Sequence, residues 1–143
     1  MQYLFSTAYL PPIEYFSKLI ESDDALIESF ENYIKQTYRN RCYILGSEGT
    51  VMLTVPVLLG SFHKVIIKDI QIDYSRRWQQ VHLGAIESAY RSSPYFIYYY
   101  DKIREIILSE WKFLIDLNTE LLVALSGMAG IKTKISYTSS FQK

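Results

Sequence analysis

The sequence predicts an α/β fold, in which a small mixed sheet, built from an N-terminal βαβ-like unit and a hairpin, precedes a helical C-terminal half. Three observations lead to this prediction. A strand–helix–strand pattern occupies the first 28 residues, two strand-like runs then flank a glycine-containing turn, and from Asp73 onward the apolar residues recur at helical spacing. The length of 143 residues fits one domain, 1–143, with enough chain to close a core.

The opening unit consists of a strand at 3–6, a helix at Ile13–Glu21 and a second strand at 25–28. Pro12 begins the helix, because proline fits the first helical turn. A strand–helix–strand unit of this length makes its two strands parallel. The loop at 7–12 is therefore expected at a ligand-binding edge of the sheet.

The hairpin is predicted from two runs, 41–45 and 51–55, which flank a turn with glycines at both ends. Pro56 ends the second arm, because proline cannot donate a hydrogen bond to a strand ladder. The run 65–72 is rich in β-branched residues, so a further strand is expected there.

Three helices and a strand are expected in the second half. The first helix spans 78–89, with Asp73 or Ser75 as its cap, and the second spans 95–108. A long amphipathic helix follows over 111–125, ended by glycines at 127 and 130. The segment 132–139 is predicted to be a last strand.

Composition predicts a cytoplasmic protein without a membrane span. Fifteen basic and fifteen acidic residues balance, so no overall field attracts nucleic acid or membrane. Cys42 is the single cysteine, which excludes an internal disulfide and favours a reducing compartment, and a buried apolar role is expected for it. The chain does not open with a signal peptide pattern. Polar residues interrupt the most apolar helix, which makes it too polar to span a bilayer.

The segment 31–41 contains more hydrogen-bonding side chains than packing requires, since Ile34 is its only aliphatic residue. Guanidinium groups beside amides and phenols are suited to a phosphate or carboxylate. The alternative is a solvated turn with ordinary surface charges. The residues expected to bind substrate in this segment are Lys35, Gln36, Tyr38, Arg39, Asn40 and Arg41.

His82 is the main acid–base candidate. It lies four residues after Trp78 on a predicted helix, so the two side chains share a face and the rings can stack. The alternative is a half-buried helix face. His63, in a polar loop, is the reserve candidate. Glycine-rich phosphate loops and nucleophile motifs are missing, and one cysteine with two separated histidines does not suit zinc, so no metal and no cofactor are predicted.

An aromatic run at 95–100 places five aromatic residues in six positions. On a helix these rings would point around the whole axis, so some should line a groove or a partner surface. Together with Arg91 and Lys102 the run could bind single-stranded nucleic acid by stacking, but the balanced charge disfavours this.

Several blocks, in this order, resemble the WbqC-like family of bacterial proteins. They are the segments 6–16, 31–41 and 53–57, the Trp78…His82 pair, and 88–96. The resemblance implies a place in surface-polysaccharide (O-antigen) gene clusters, where transfer of glycine or another amino acid to a sugar has been suggested for some members. Many relatives carry a histidine where this chain has Phe30, and relatives usually continue into a further C-terminal segment, so this chain is expected to lack a part of them.

The leading hypothesis is a transferase that acts on an anionic, sugar-containing small molecule such as a nucleotide-activated sugar. Further residues expected to shape its pocket are Tyr9, Tyr15, Trp78 and Tyr90. The alternative is a non-catalytic binding or assembly protein that docks a partner through 95–100. A homo-oligomer is compatible with either hypothesis.

Overall fold

The computed structural model describes residues 2–34, 37–46, 49–58, 65–93 and 96–139. Within these ranges the elements, in chain order, are β1 Gln2–Ser6, α1 Ile13–Glu21, β2 Asp24–Glu28, β3 Arg41–Gly46, β4 Gly49–Thr54, β5 Val57–Leu58, β6 Gln71–Ile72, α2 Trp78–Tyr90, α3 Phe96–Leu108, α4 Leu114–Met128 and β7 Lys134–Tyr137. The predicted α/β class is confirmed.

A parallel three-stranded sheet, in the order β1-β2-β7, forms the centre of the fold. Its register pairs Ser6 with Glu28 and Ile27 with Tyr137, so all three strands end at the same edge. Ala25 and Ile27 on the central strand are fully buried. Helix α1 connects β1 to β2, as the βαβ pattern predicts, and the parallel pairing of these strands is confirmed.

The described strands fall into three small sheets and do not join into one. The β3–β4 hairpin forms a separate antiparallel sheet, and β5 and β6 form a third. The hairpin packs against α2, and this contact takes the place of an extension of the parallel sheet.

The strand predicted over 65–72 is wrong for most of its length. Ile67–Asp69 forms a 3-10 turn, and only Gln71–Ile72 is a strand. The turn arises because the backbone is bound on both sides by other elements. Ile67 N donates to Glu31 O at 2.7 Å, and Leu114 N donates to Ile70 O at 3.0 Å. The β-branched side chains serve the core here, since Ile67 and Ile70 are fully buried.

Two helix boundaries also differ from prediction. The Asp73 carboxylate accepts a hydrogen bond from Ser75 N in the loop, so neither residue caps α2, which follows Arg77. Helix α4 passes through position 127 and ends before Gly130, whose φ of 75° is easily adopted only by glycine. Among the helices of the described ranges, none combines the length and apolarity that a membrane span requires.

Candidate functional site

The carboxyl end of the parallel sheet carries the polar side chains. After β2 the chain bends at Phe30 and Glu31, and Asn32 is then bridged to Ile66, with Tyr33 N donating to Val65 O at 2.8 Å. Ligands of open α/β sheets bind at this edge.

Glu31 connects this edge to Arg39. Its Oε1 accepts a charge-assisted hydrogen bond from Arg39 Nε at 2.9 Å, and its Oε2 accepts one from Ser6 Oγ at 3.1 Å. Both partners of the ion pair are mostly buried, with 14% of the Arg39 side chain and 16% of the Glu31 side chain exposed. The guanidinium group is therefore held in place by a carboxylate and by the Thr37 hydroxyl, 3.4 Å from Nη1.

Arg41 is a second cation whose charge acts on this segment. Burial raises the pKa of Tyr33, while the charges of Arg41 and Arg39 act on that pKa in the opposite direction, so both cations lie within electrostatic range of the phenol. Arg41 Nε is buried without a hydrogen-bond partner. No ion pair of Arg41 occurs within the described ranges. Tyr33, Arg39 and Arg41, with the Glu31 carboxylate, are called the arginine cluster below.

Tyr15 supports the cluster from α1. Its hydroxyl donates to Ser6 O at 2.7 Å. Burial, and secondarily the charge of Glu31, raise the pKa of Tyr15 well above its usual range, so the phenol remains neutral. Tyr15 thus fixes the end of β1 and is not free to bind a ligand through its hydroxyl proton.

Two buried amides hold the backbone behind the cluster. Asn118, on α4, donates from Nδ2 to Arg39 O at 2.8 Å and to Thr7 Oγ1 at 3.1 Å. Asn40 donates from Nδ2 to Val55 O at 2.9 Å. The Oδ1 atoms of both amides are buried without a partner. The amide group of Asn40, which the sequence analysis expects to bind substrate, therefore uses its donor to hold the hairpin.

His82 forms a buried connection between three elements. Its Nε2 lies 3.0 Å from Thr54 O, which can only accept, so Nε2 carries the proton and Nδ1 accepts from the Tyr9 hydroxyl at 2.8 Å. Trp78 contacts the imidazole edge-on, with ring centroids 5.1 Å apart. Burial lowers the pKa of His82 to about 4, although the Thr54 carbonyl acts the other way. The acid–base role of His82 stays a prediction, and these contacts favour a neutral structural imidazole.

An apolar cavity of about 630 Å³ is lined by Tyr38 and Cys42, the sequence neighbours of Arg39 and Arg41. The β1–α1 loop, β3, the C-terminal ends of α2 and α4, and α3 surround it. Of the predicted pocket residues, Tyr38 and Tyr90 line this cavity, whereas Tyr9 is fully buried with His82 and Tyr15 lies at the sheet edge. Leu10 also lines the cavity, with a φ of 43° that is rare for a residue with a side chain.

Lys35, Gln36 and His63 lie outside the described residues. Sequence reasoning missed Glu31, Tyr33, Ser6 and Asn118 as parts of the site. Glu31 and Tyr33 belong to the segment 31–41 that was singled out, and Asn118 interrupts the apolar stripe of α4, which is a signal for a buried polar role. In the described ranges, no group of three or more His, Cys, Asp or Glu side chains is arranged to hold a metal ion.

A model of the WbqC-like protein family matches residues 7–143 of the chain. The chain belongs to the WbqC-like protein family. A curated relative, the uncharacterized protein Rv1507c of Mycobacterium tuberculosis, is 31% identical over 136 residues. The match covers 94% of this chain and 58% of that protein, so this chain spans less than two thirds of the length of its relative. No solved structure matches the chain. The resemblance read from the sequence is confirmed, and family membership suggests a role related to polysaccharide gene clusters.

Proposed function

We propose that this WbqC-like protein is a transferase that binds an anionic, sugar-containing precursor of surface polysaccharide at the arginine cluster. The observation that carries the proposal is that Arg39, which Glu31 orients, and Arg41, whose buried Nε has no partner, both lie within electrostatic range of Tyr33. Glu31 neutralises one of the two cations, so the cluster keeps a net positive charge for a phosphate or carboxylate.

The two arginines have different roles in this proposal. Arg39 is oriented by Glu31 through Nε, and within the described residues its Nη2 makes no hydrogen bond, so this end of the fork is available to a ligand oxygen. Arg41 attracts an anionic ligand more strongly than Arg39 does, because within the described ranges no carboxylate pairs with Arg41. A buried Nε without a partner is costly and would be satisfied by an anion.

Glu31 is the group best placed to act as a base. In a transfer to an amine or hydroxyl, the attacking group forms a bond to the transferred group and loses a proton, which a carboxylate at the anion site can accept. The bond between the transferred group and its donor breaks in the same reaction, and the donor's leaving group departs with the electron pair. Both ring nitrogens of His82 are engaged inside the fold and have no further lone pair to offer. The two Glu31 oxygens also accept hydrogen bonds, from Arg39 and Ser6, but each carboxylate oxygen keeps a second lone pair, so in our proposal this role passes from His82 to Glu31. The family resemblance suggests that the transferred group is glycine or another amino acid.

The binding step is tested by thermal shift with nucleotides, nucleotide sugars, phosphosugars and amino acids. A ligand at one hundred times its dissociation constant adds about 2.7 kcal/mol of stability. We expect Arg41→Gln to abolish the shift and Arg39→Lys to weaken it, since lysine replaces a fork by a point charge. Arg76→Gln is the matched control, because Arg76 is exposed in the loop before α2. Equal shifts in Arg41→Gln and the control would refute the anion site.

The catalytic step is tested on a hit from that screen. Glu31→Gln should lose turnover while ligand binding persists, because glutamine keeps hydrogen-bonding groups but accepts no proton. His82→Gln should retain turnover in proportion to its folded fraction. If folded His82→Gln loses turnover while Glu31→Gln keeps normal turnover, the catalytic base is His82 and not Glu31.

A second candidate function is that of a non-catalytic binding or assembly protein. One observation favours it, namely that Tyr98 on α3 is 76% exposed and Tyr99 is 38% exposed. Exposed tyrosines of this kind are common in protein interfaces. Tyr98→Ala should then abolish association with a partner enzyme without changing the melting temperature. Unchanged association would remove this surface from consideration.

A further inference from the structure

The apolar cavity has the chemistry of an alkyl-chain site. Its floor includes Cys42 and Ile86, which are 3% and 7% exposed, together with Ile44, Ile103 and Met128. None of the lining residues in the described ranges is charged and none is an amide, and their polar side-chain groups are the hydroxyls of Ser93 and five tyrosines. The five floor residues themselves offer no strong donor or acceptor to the hydrogen-bonding edge of a nucleobase or to the hydroxyls of a sugar. A hydrocarbon chain needs no such partners.

The residues that line the cavity include sequence neighbours of both arginines. Tyr38 and Tyr43 both line the cavity, and their rings make an edge contact with centroids 6.2 Å apart. Arg41 and Tyr43 lie on the same face of β3, because alternate residues of a strand share a face. Arg39 follows Tyr38 directly in the chain. A chain seated in the cavity would therefore have its polar end beside the two guanidinium groups.

We propose that the ligand of this protein is an amphiphilic anion, whose alkyl chain occupies the cavity while its phosphate or carboxylate binds the arginine cluster. The inference rests on the proposed function, because it uses the same anion site and adds the apolar part of the ligand. The cavity volume of about 630 Å³ lies within the usual range for ligand pockets. The tyrosine pair at the rim suits the junction between the apolar and the polar part, since phenols are apolar in body and polar at the tip.

The test is calorimetric titration of the full chain with butyl, hexyl and octyl phosphate below their micelle concentrations. Inorganic phosphate and a nucleoside monophosphate are the comparison ligands. Each methylene that enters the cavity should raise affinity about fourfold. Octyl phosphate should then bind about 200-fold more tightly than butyl phosphate if all four added methylenes are buried.

Two variants separate the tail site from the head site. Ala129→Phe narrows the cavity from an exposed lining position at the end of α4. It should therefore reduce the increase of affinity with alkyl chain length while the protein stays folded. Val123→Phe, at a 49% exposed position of α4 outside the cavity lining, is the matched control and should keep the dependence. Arg41→Gln should lower affinity by a similar factor for all three alkyl phosphates.

The outcomes distinguish the two proposals. Affinity that is independent of chain length, or tighter binding of the nucleoside monophosphate than of octyl phosphate, overturns the alkyl site and leaves the anion site intact. Alkyl binding that Arg41→Gln does not weaken overturns the link between cavity and cluster. Absence of binding by all phosphates overturns both this inference and the proposed function.

Discussion

The buried imidazole of His82 should make the stability of the protein depend on pH in a defined window. Its folded pKa of about 4 lies below the ordinary value of 6.5. Between these values the unfolded chain binds a proton at this residue and the folded chain does not. The contribution of neutral His82 to the free energy of unfolding is therefore fully present above pH 6.5 and is lost as the pH is lowered towards 4.

The magnitude follows from the difference between the two pKa values. A separation between 6.5 and about 4 corresponds to about 3 kcal/mol, lost progressively across the window. The side chain is only 3% exposed, so solvent screening does not reduce this value much. The loss is a large share of the stability of about 5–15 kcal/mol that is typical of a domain.

The assay compares the wild type with His82→Gln by urea unfolding at several pH values from 4.5 to 7.5. Glutamine can still donate to Thr54 O, but it does not titrate. We expect the variant to be less stable at pH 7.5 and the two curves to converge as the pH falls. Carboxylates and the other histidine are common to both proteins and cancel in the difference. Parallel curves would show that the reasoning about His82 is wrong.

Three further predictions concern stability and are each measured by urea or thermal unfolding. Tyr9→Phe should cost about 1–3 kcal/mol, because it leaves the buried Nδ1 of His82 without a donor; a cost below 0.5 kcal/mol would mean that this hydrogen bond contributes little. Gly130→Ala should destabilise the protein by about 1 kcal/mol, since alanine is strained at a φ of 75°. Gly127→Ala lies inside α4 with open space around the added methyl group, so it should stabilise the protein by about 0.5–1 kcal/mol. Equal effects of the two substitutions would refute the conformational argument. Asn118→Leu should cost about 1–3 kcal/mol, because Arg39 O and the Thr7 hydroxyl lose their buried donor; a neutral effect would show that water replaces the amide.

The fold could be predicted from sequence where local signals agree. Pro12 and the apolar spacing after it define α1 from Ile13 to Glu21, and the glycine turn defines the hairpin. The strand prediction for 65–72 was wrong because β-branched residues indicate burial as well as strand pairing. Whether such a run pairs or turns depends on residues far away in the chain, here Glu31 and Leu114.

The site was predicted in part for the same reason. The side-chain chemistry of Arg39 and Arg41 indicates an anion site, but the path of the chain between β2 and β3 decides that both charges act on Tyr33. The sequence indicates that Trp78 and His82 share a helix face. It does not show that Thr54 O and the Tyr9 hydroxyl, 28 and 73 residues away from His82, engage both ring nitrogens. Long-range partners decide whether a histidine is reactive or structural.

The way in which β7 meets β2 has a consequence for synthesis of the chain. Thr138 N donates to Ile27 O, and its hydroxyl donates to Glu28 Oε1 at 2.9 Å across 110 residues of sequence. At typical elongation rates, Thr138 leaves the ribosome about 6–20 s after Glu28. During that interval β2 is an edge strand of the nascent protein, and an acidic residue at its end discourages pairing with other chains.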